Sequence, residues 1–239
     1  MIKASVDFTK NLQSISASGR WLRCTASLEH NHGIVVDNNA VKRGGRIHEI
    51  AKKVIELWKD NQSYIGDYDK DNDIKEVIES YVGNLINRVV EYKATKTQVQ
   101  AEREVVVDWY GITKRGIIDL LIETEDTLYI CDLKTGHNKV GVTEEDELNY
   151  QLALYAMGLI QENFQRVNKK IVIEIYQPWG YINNKKEITA TELSELYTSK
   201  KDKMAEITSG ELEYNPTPTA CKYCAHRIRC NERFKKGVV

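Results

Sequence analysis

Proline and net charge are what this sequence has least of. Three prolines stand in 239 residues beside 41% hydrophobic and 29% charged side chains, a composition too well patterned for a disordered chain. No apolar run approaches the roughly 20 residues of a membrane-spanning helix, and the opening MIKASVDFTK lacks the apolar core of a signal peptide. The expected place is therefore the cytoplasm, with no membrane partner and no disulfides among the five cysteines. A chain of this length buries a proper core without staples. Its 34 basic and 35 acidic residues leave a net charge of −1, which by itself speaks against a nucleic-acid partner. The distribution reverses that. Residues 1–53 carry nine basic and four acidic side chains and residues 221–239 carry six and one, so each end is +5 and the middle −11. Ends that fold together would present one basic face.

The pattern predicts an α/β fold in one domain spanning 1–239, with an N-terminal segment 1–40, a core 41–210 and a tail 211–239. Residues 12–30 fit a short helix or turn. From Val41 to Lys59 the residues Ile47, Ile50, Ala51, Val54, Ile55 and Trp58 recur at helical spacing, in a helix that opens on Gly44-Gly45. A second helical pattern runs from Ile74 to Val89. The intervening DNQSYIGDYDKDND reads as a solvated loop, because it lacks the spacing of a calcium loop. The period then changes. Residues 98–109, 116–123 and 127–133 predict three strands in a meander, punctuated by Gly111 and by Glu125-Asp126. A helix over 145–162, a strand over 170–177 ended by Pro178 and Gly180, and a long helix over 190–208 complete the order.

Asp119 lies within the apolar run Ile117-Ile118-Asp119-Leu120-Leu121, where an unpaired charge is costly. In a hairpin turning at Glu125-Asp126 it falls opposite Asp132, so two carboxylates converge on one cation. Lys134 shares the face of Asp132, two residues on. A hard divalent ion, Mg or Mn, with a lysine beside it makes a hydrolytic site; an edge ion pair is the plainer reading. Gln151 and Tyr155, an i, i+4 pair, offer an amide and a phenol to a phosphate backbone, unless Tyr155 is a core aromatic. Upstream, His48 follows Arg43 and Arg46 near the start of the first long helix.

Taken in order, His48, Asp119, Asp132-x-Lys134 and Gln151-x-x-x-Tyr155 resemble the PD-(D/E)XK nuclease superfamily, and in particular its RecB-like branch, over nearly the whole chain. The resemblance implies a restriction-endonuclease-like core, αβββαβ, with a mixed central sheet flanked by helices. It implies that Asp119 and Asp132 bind the metal, that His48 completes its shell, that the carbonyl of Leu133 is a further ligand and that Lys134 is catalytic. Glu102 stands where many members carry an extra acid.

Cys221, Cys224 and Cys230 give C-x2-C-x5-C, and Cys24 lies far upstream. Three clustered thiols and a distant one suit a four-ligand site, for zinc or for a cluster. The RecB-like nucleases that carry an iron–sulfur cluster, among them AddB-type helicase–nucleases and CRISPR-associated exonucleases, are similar in this arrangement. They imply a 4Fe-4S cluster joining the two ends of the chain, with zinc as the alternative. Such a clamp offsets the entropy of closing a loop of nearly 200 residues and would bring Arg20, Arg23, Lys222, Arg227 and Arg229 to one DNA-facing surface. Trp21 and Tyr223 are stacking candidates, though core packing is the first reading for both. Cys131 reads as core.

Ser16 to Cys24, Asp132 to Gly136, Asn149 to Ala156 and Ile175 to Pro178 also resemble small phage- and prophage-encoded RecB-like proteins. The expected function is a metal-dependent DNA exonuclease acting on ends or single strands, in phage DNA processing or recombination. Expected partners are DNA, a second copy of the chain and a recombination partner such as an annealing protein. The alternative is a catalytically weak DNA-binding or assembly protein that keeps fold and cluster.

Overall fold

The computed structural model describes residues 14–31, 39–62, 72–179, 184–222 and 224–238. Most of the expected acidic loop, at 63–71, lies outside them, as do Gly180 and Tyr223. Short helices α1 (Ser18–Trp21) and α2 (Ser27–Asn31) precede two long ones, α3 (Asn39–Lys59) and α4 (Asn72–Glu91). The meander follows as β1 (Val99–Trp109), β2 (Ile112–Glu123) and β3 (Thr127–Leu133). A small hairpin, β4 (Thr143–Glu144) and β5 (Glu147–Leu148), leads into α5 (Tyr150–Glu162), then β6 (Lys170–Tyr176) and β7 (Lys185–Ile188). Helices α6 (Ala190–Ser199), α7 (Lys201–Ser209), α8 (Pro218–Lys222) and α9 (Asn231–Lys235) close the chain. No helix among the described residues is long and apolar enough to cross a membrane.

The mixed central sheet expected from the sequence is present, in the order β1-β2-β3-β6-β7, with β3 and β6 parallel and the other pairs antiparallel. Some elements differ from expectation. Helix α5 begins at Tyr150 rather than 145, because the Asn149 side chain caps it by accepting from the Leu152 N–H, while Glu145 and Asp146 turn the hairpin at φ +54° and +64°. The long C-terminal helix is two, interrupted at Lys200. Gly44 and Gly45 lie inside α3, which starts at Asn39.

Helices α3 and α4 pack on one face of the sheet, where Ile47, Ile55, Ile78, Tyr81 and Leu85 meet Leu120, Tyr129 and Cys131. On the other face α5 packs with Ile118, Leu121, Ile130 and Ile173. Strand β3, buried along its whole length, lies between the two cores.

Strands β1 and β2 exchange faces partway along. Ile118 packs with α5, yet Leu120, two residues on, packs with α3 and α4; likewise Val105 and Val99 belong to opposite cores. Regular alternation would keep each pair on one side. The change falls at Glu102 and Asp119, the positions skipped in an otherwise continuous ladder, where Glu102 adopts φ +52°. That left-handed backbone costs a non-glycine residue of the order of 1–3 kcal/mol.

On the α4 side β6 presents Glu174, 2% exposed, to Arg88, whose Nε and second guanidinium nitrogen lie 2.8 and 3.1 Å from its oxygens. The Tyr129 hydroxyl donates to the same carboxylate at 2.7 Å. At the far end of the molecule the N-terminal segment and the tail are joined by hydrogen bonds. The Ala26 N–H donates to the Glu213 carbonyl at 3.0 Å, the Glu213 N–H to Thr25 Oγ1 at 2.8 Å, and the Asn215 side chain to the Arg23 carbonyl at 3.2 Å.

Candidate functional site

The hairpin register follows from its turn. Leu120 pairs with Cys131, which puts Asp119 and Asp132 opposite each other one step beyond the paired ladder. Both carboxylates line a cleft of about 550 Å³ together with His48, Lys134, Gln151 and Tyr155. Helix α3 reaches the cleft because Gly44 comes close to the loop after β3: a Cβ there would stand 3.2 Å from Thr135 Oγ1.

Two sets of contacts organise the floor. In the first, His48 Nδ1 is 3.1 Å from Asp119 Oδ1 and 3.8 Å from Glu102 Oε1. Among the described residues these three form the group of metal-type donors lying within 4.8 Å of one another. Asp119 also accepts the Leu133 N–H at 2.6 Å, which fixes its second oxygen. In the second set, Lys134 Nζ lies 2.7 Å from Asp132 Oδ2 and donates to Gln151 Oε1 at 3.0 Å. The Gln151 amide nitrogen donates to Asp132 Oδ1 at 2.6 Å and to the Tyr155 hydroxyl at 3.0 Å. Asp132 thus engages lysine and amide, while Glu102 stands with His48 and Asp119.

Burial works against the charged form of His48, but its hydrogen bonds to Asp119 and Glu102, with the charges of Asp119 and Asp132, lift the imidazole to about 10. Burial, then the neighbouring Asp132 charge, push the Asp119 carboxyl up against the pull of His48. A cation between these groups would take the place of that proton. The donor set, two carboxylates and an imidazole with Asp132 adjacent, fits a divalent ion such as Mg or Mn.

Gly116 allows Tyr155 to reach this position, since a Cβ there would come within 2.5 Å of the Tyr155 ring and 2.9 Å of Ile15. Gln151 and Tyr155, 7% and 3% exposed, form the cleft wall and present little surface outward. Gln177, to which the sequence assigned no role, holds the loop after β3: its amide donates to the Gly136 and Asn138 carbonyls and accepts from the Val140 N–H. Its one signal was a buried-strand pattern ending in Gln-Pro.

A second groove, of about 690 Å³, shares Ser16, Lys134, Val140 and Gln151 with the cleft and runs to Arg20, Lys139 and Lys222. Arg227 and Arg229 are exposed on the tail, and Arg43 and Arg46 lie on the first turns of α3. Arg23 is a correction. Expected to face DNA, it is buried, with Nε 3.0 Å from Glu145 and hydrogen bonds to the Gly19 and Glu144 carbonyls, and its guanidinium covers the Tyr150 ring at 4.4 Å. It ties the β4–β5 hairpin to the N-terminal segment. Trp21 is buried too, in the α5-side core, and Cys131 in the other.

Cys24, Cys221, Cys224 and Cys230 line one narrow cavity of about 20 Å³ with His30, Tyr214 and His226. All four thiols are free. Burial pushes Cys24 and Cys221 up, and in both cases neighbouring cysteines of the set add to it. The chemistry of four thiols from both chain ends around one point suits a thiophilic metal group.

Comparison with known proteins places the architecture. A crystal structure from Eubacterium rectale, described as that of a candidate exonuclease, superposes at a TM-score of 0.51 over 96% of this chain and 92% of that one, at 13% identity. That likeness is one of fold. A 105-residue stretch, 36% of the chain, is 31% identical to part of an ATP-dependent helicase/nuclease from Bacillus mycoides (strain KBAB4), and spans 8% of that protein's length. The model of the family described as Protein of unknown function (DUF2800) matches residues 11–238, nearly the whole chain, which therefore belongs to that family.

Proposed function

We propose that this protein is a metal-dependent nuclease that hydrolyses DNA phosphodiesters, as an exonuclease on ends or single strands. The observation that carries the reading is the convergence of His48, Glu102 and Asp119 with the Asp132–Lys134–Gln151–Tyr155 network in one cleft. The exonuclease-like fold and the short stretch of helicase/nuclease likeness agree with it.

His48, Glu102, Asp119 and Asp132, with the Leu133 carbonyl, would hold Mg or Mn, which lowers the pKa of bound water and polarises the phosphoryl oxygens. Lys134 stands where it neutralises charge developing on the phosphate, and Gln151 fixes its ammonium against Asp132. Tyr155 holds Gln151 in turn. The shared cleft and groove lead a polyanion from Lys134 toward Arg20 and Lys222. In the tail, Cys24, Cys221, Cys224 and Cys230 would hold a 4Fe-4S cluster. Zinc in a tetrahedron of thiolates would need sulfurs about 3.8 Å apart, closer than these stand, which favours the larger group over zinc.

Anaerobically purified protein should contain iron and sulfide and degrade single-stranded DNA with Mg or Mn. Asp132→Ala and Lys134→Ala should abolish cleavage, a loss of at least 10²–10³-fold by analogy with other positioned electrostatic groups, and retain DNA binding. Intact DNA after incubation with the wild-type protein and either metal would overturn the reading and leave a binding or assembly protein in its place.

A further inference from the structure

The outer half of β2 presents groups to the cleft that the site above does not use. Arg115 and Ile117 precede Asp119 at two-residue spacing, before the strand changes faces, and both line the cleft beside His48 and Asp119. Helix α5 covers the opposite side of this segment, where Gly116 lies under Tyr155 and Ile118 is fully buried. Arg115 is exposed and makes no hydrogen bond or ion pair among the described residues. Ile117 is 47% exposed, and Val106, paired with Arg115 on β1, is 39% exposed. Glu104, paired with Ile117, is the acid on this surface nearest to them in register.

A strand rises about 3.3 Å per residue, so Arg115 stands about 13 Å from Asp119 along β2. That is too far to touch a phosphate held at Asp119 and near enough to hold another on the same chain. Arginine is suited to this, because its planar fork grips phosphate oxygens two at a time. An exposed isoleucine between the two points is poor surface for a solvated protein and good surface for an unstacked base or sugar.

We propose that Arg115 binds a backbone phosphate of the substrate strand other than the scissile one, and that Ile117 packs against the nucleotide between, so that β2 lays out the path of a single-stranded polynucleotide into the cleft. The proposal rests on the nuclease reading. Arg115 acts by holding the strand and is a positioning residue.

The test uses the full chain. Binding of an oligonucleotide of about ten residues is measured in an Asp132→Ala background against salt concentration, with and without Arg115→Ala or Arg115→Lys. Loss of one phosphate contact should lower the slope of log K against log salt by about 0.7 for a single strand, and weaken binding about tenfold or more. Arg115→Lys should restore the slope and only part of the affinity. In the active protein the Arg115→Ala loss should fall on KM rather than kcat. An unchanged slope and KM would overturn the proposal, and equal losses on blunt duplex would overturn the single-strand assignment. Hydrolysis of bis(p-nitrophenyl) phosphate by the wild-type protein reads the metal site alone. Its failure would count against the nuclease reading, while the salt slope would still decide the role of Arg115.

Discussion

Replacing Gln151 by Glu exchanges one amide nitrogen for an oxygen and leaves shape unchanged. That nitrogen lies 2.6 Å from Asp132 Oδ1, where Gln151 and Asp132 are 7% and 3% exposed, so Gln151→Glu sets two carboxylate oxygens in contact away from water. At an effective dielectric of about 20, two unit charges at this distance repel by about 6 kcal/mol. Proton uptake caps the cost. Starting from the unfolded glutamate value of about 4.3, holding one proton at pH 7 costs about 4 kcal/mol. Lys134, within 3.0 Å of both residues, offsets part of that, leaving about 2–4 kcal/mol at pH 7. The proton-holding carboxyl has a folded pKa above its unfolded one. Stability relative to wild type is therefore whole below about pH 4.3 and falls by about 1.4 kcal/mol per unit as pH rises toward the folded value. Urea midpoints in EDTA at several values between pH 5 and 8, with Gln151→Met as the uncharged control, measure this difference. A deficit that is flat with pH, or below about 1 kcal/mol at pH 8, would refute the contact between Gln151 and Asp132.

Other consequences are equally direct. Arg88→Met leaves the Glu174 carboxylate buried without its cation and should cost about 3–5 kcal/mol, a fall in Tm of about 6–20 °C in a chain of this size; adding Glu174→Gln should recover most of it. Gly158→Ala would place a Cβ 2.6 Å from Val105 Cγ2 and 2.7 Å from the Val106 carbonyl, so overpacking of about 1–3 kcal/mol outweighs the gain in helix propensity. Gly83→Ala, in α4 with nothing within 4 Å, should instead stabilise by up to about 1 kcal/mol, and thermal melts of the two variants give the comparison. Cys24→Ser and Cys230→Ser, from opposite ends of the chain, should lose iron and sulfide alike; a Cys24 variant with full iron content would remove that residue from the set.

What the sequence revealed of the fold is what periodicity and short turns control. Helices α3 and α4 and the meander fall within a few residues of their patterns, and the Asp119–Asp132 register came from the turn alone. Strand β7, Lys-Lys-Glu-Ile at the sheet edge, carries no apolar alternation, and the two-residue strands β4 and β5 are too short to show any. In the site, Asp132 with Lys134 and Gln151 with Tyr155 were legible because strand and helix spacing are local. Their direction was not: Gln151 turns to Asp132 and Lys134 because burial leaves its amide no other partner there. Arg23 looked like one more cation in a basic segment, since its carboxylate partners lie more than a hundred residues away. The outward groups Arg115 and Ile117 were hidden by the exchange of faces at Asp119, which alternation within one strand cannot reveal.

That exchange also bears on how the protein matures. Asp119 stands where two separately packed cores meet; His48 is delivered by one, Gln151 and Tyr155 by the other. A chain with either half unconsolidated owns every side chain of the site and none of its geometry. During refolding, recovered activity should follow the slower core even where helical signal returns early. In a cell, a half-made molecule is chemically silent, and nucleic acid nearby meets a working centre only once the fold is complete.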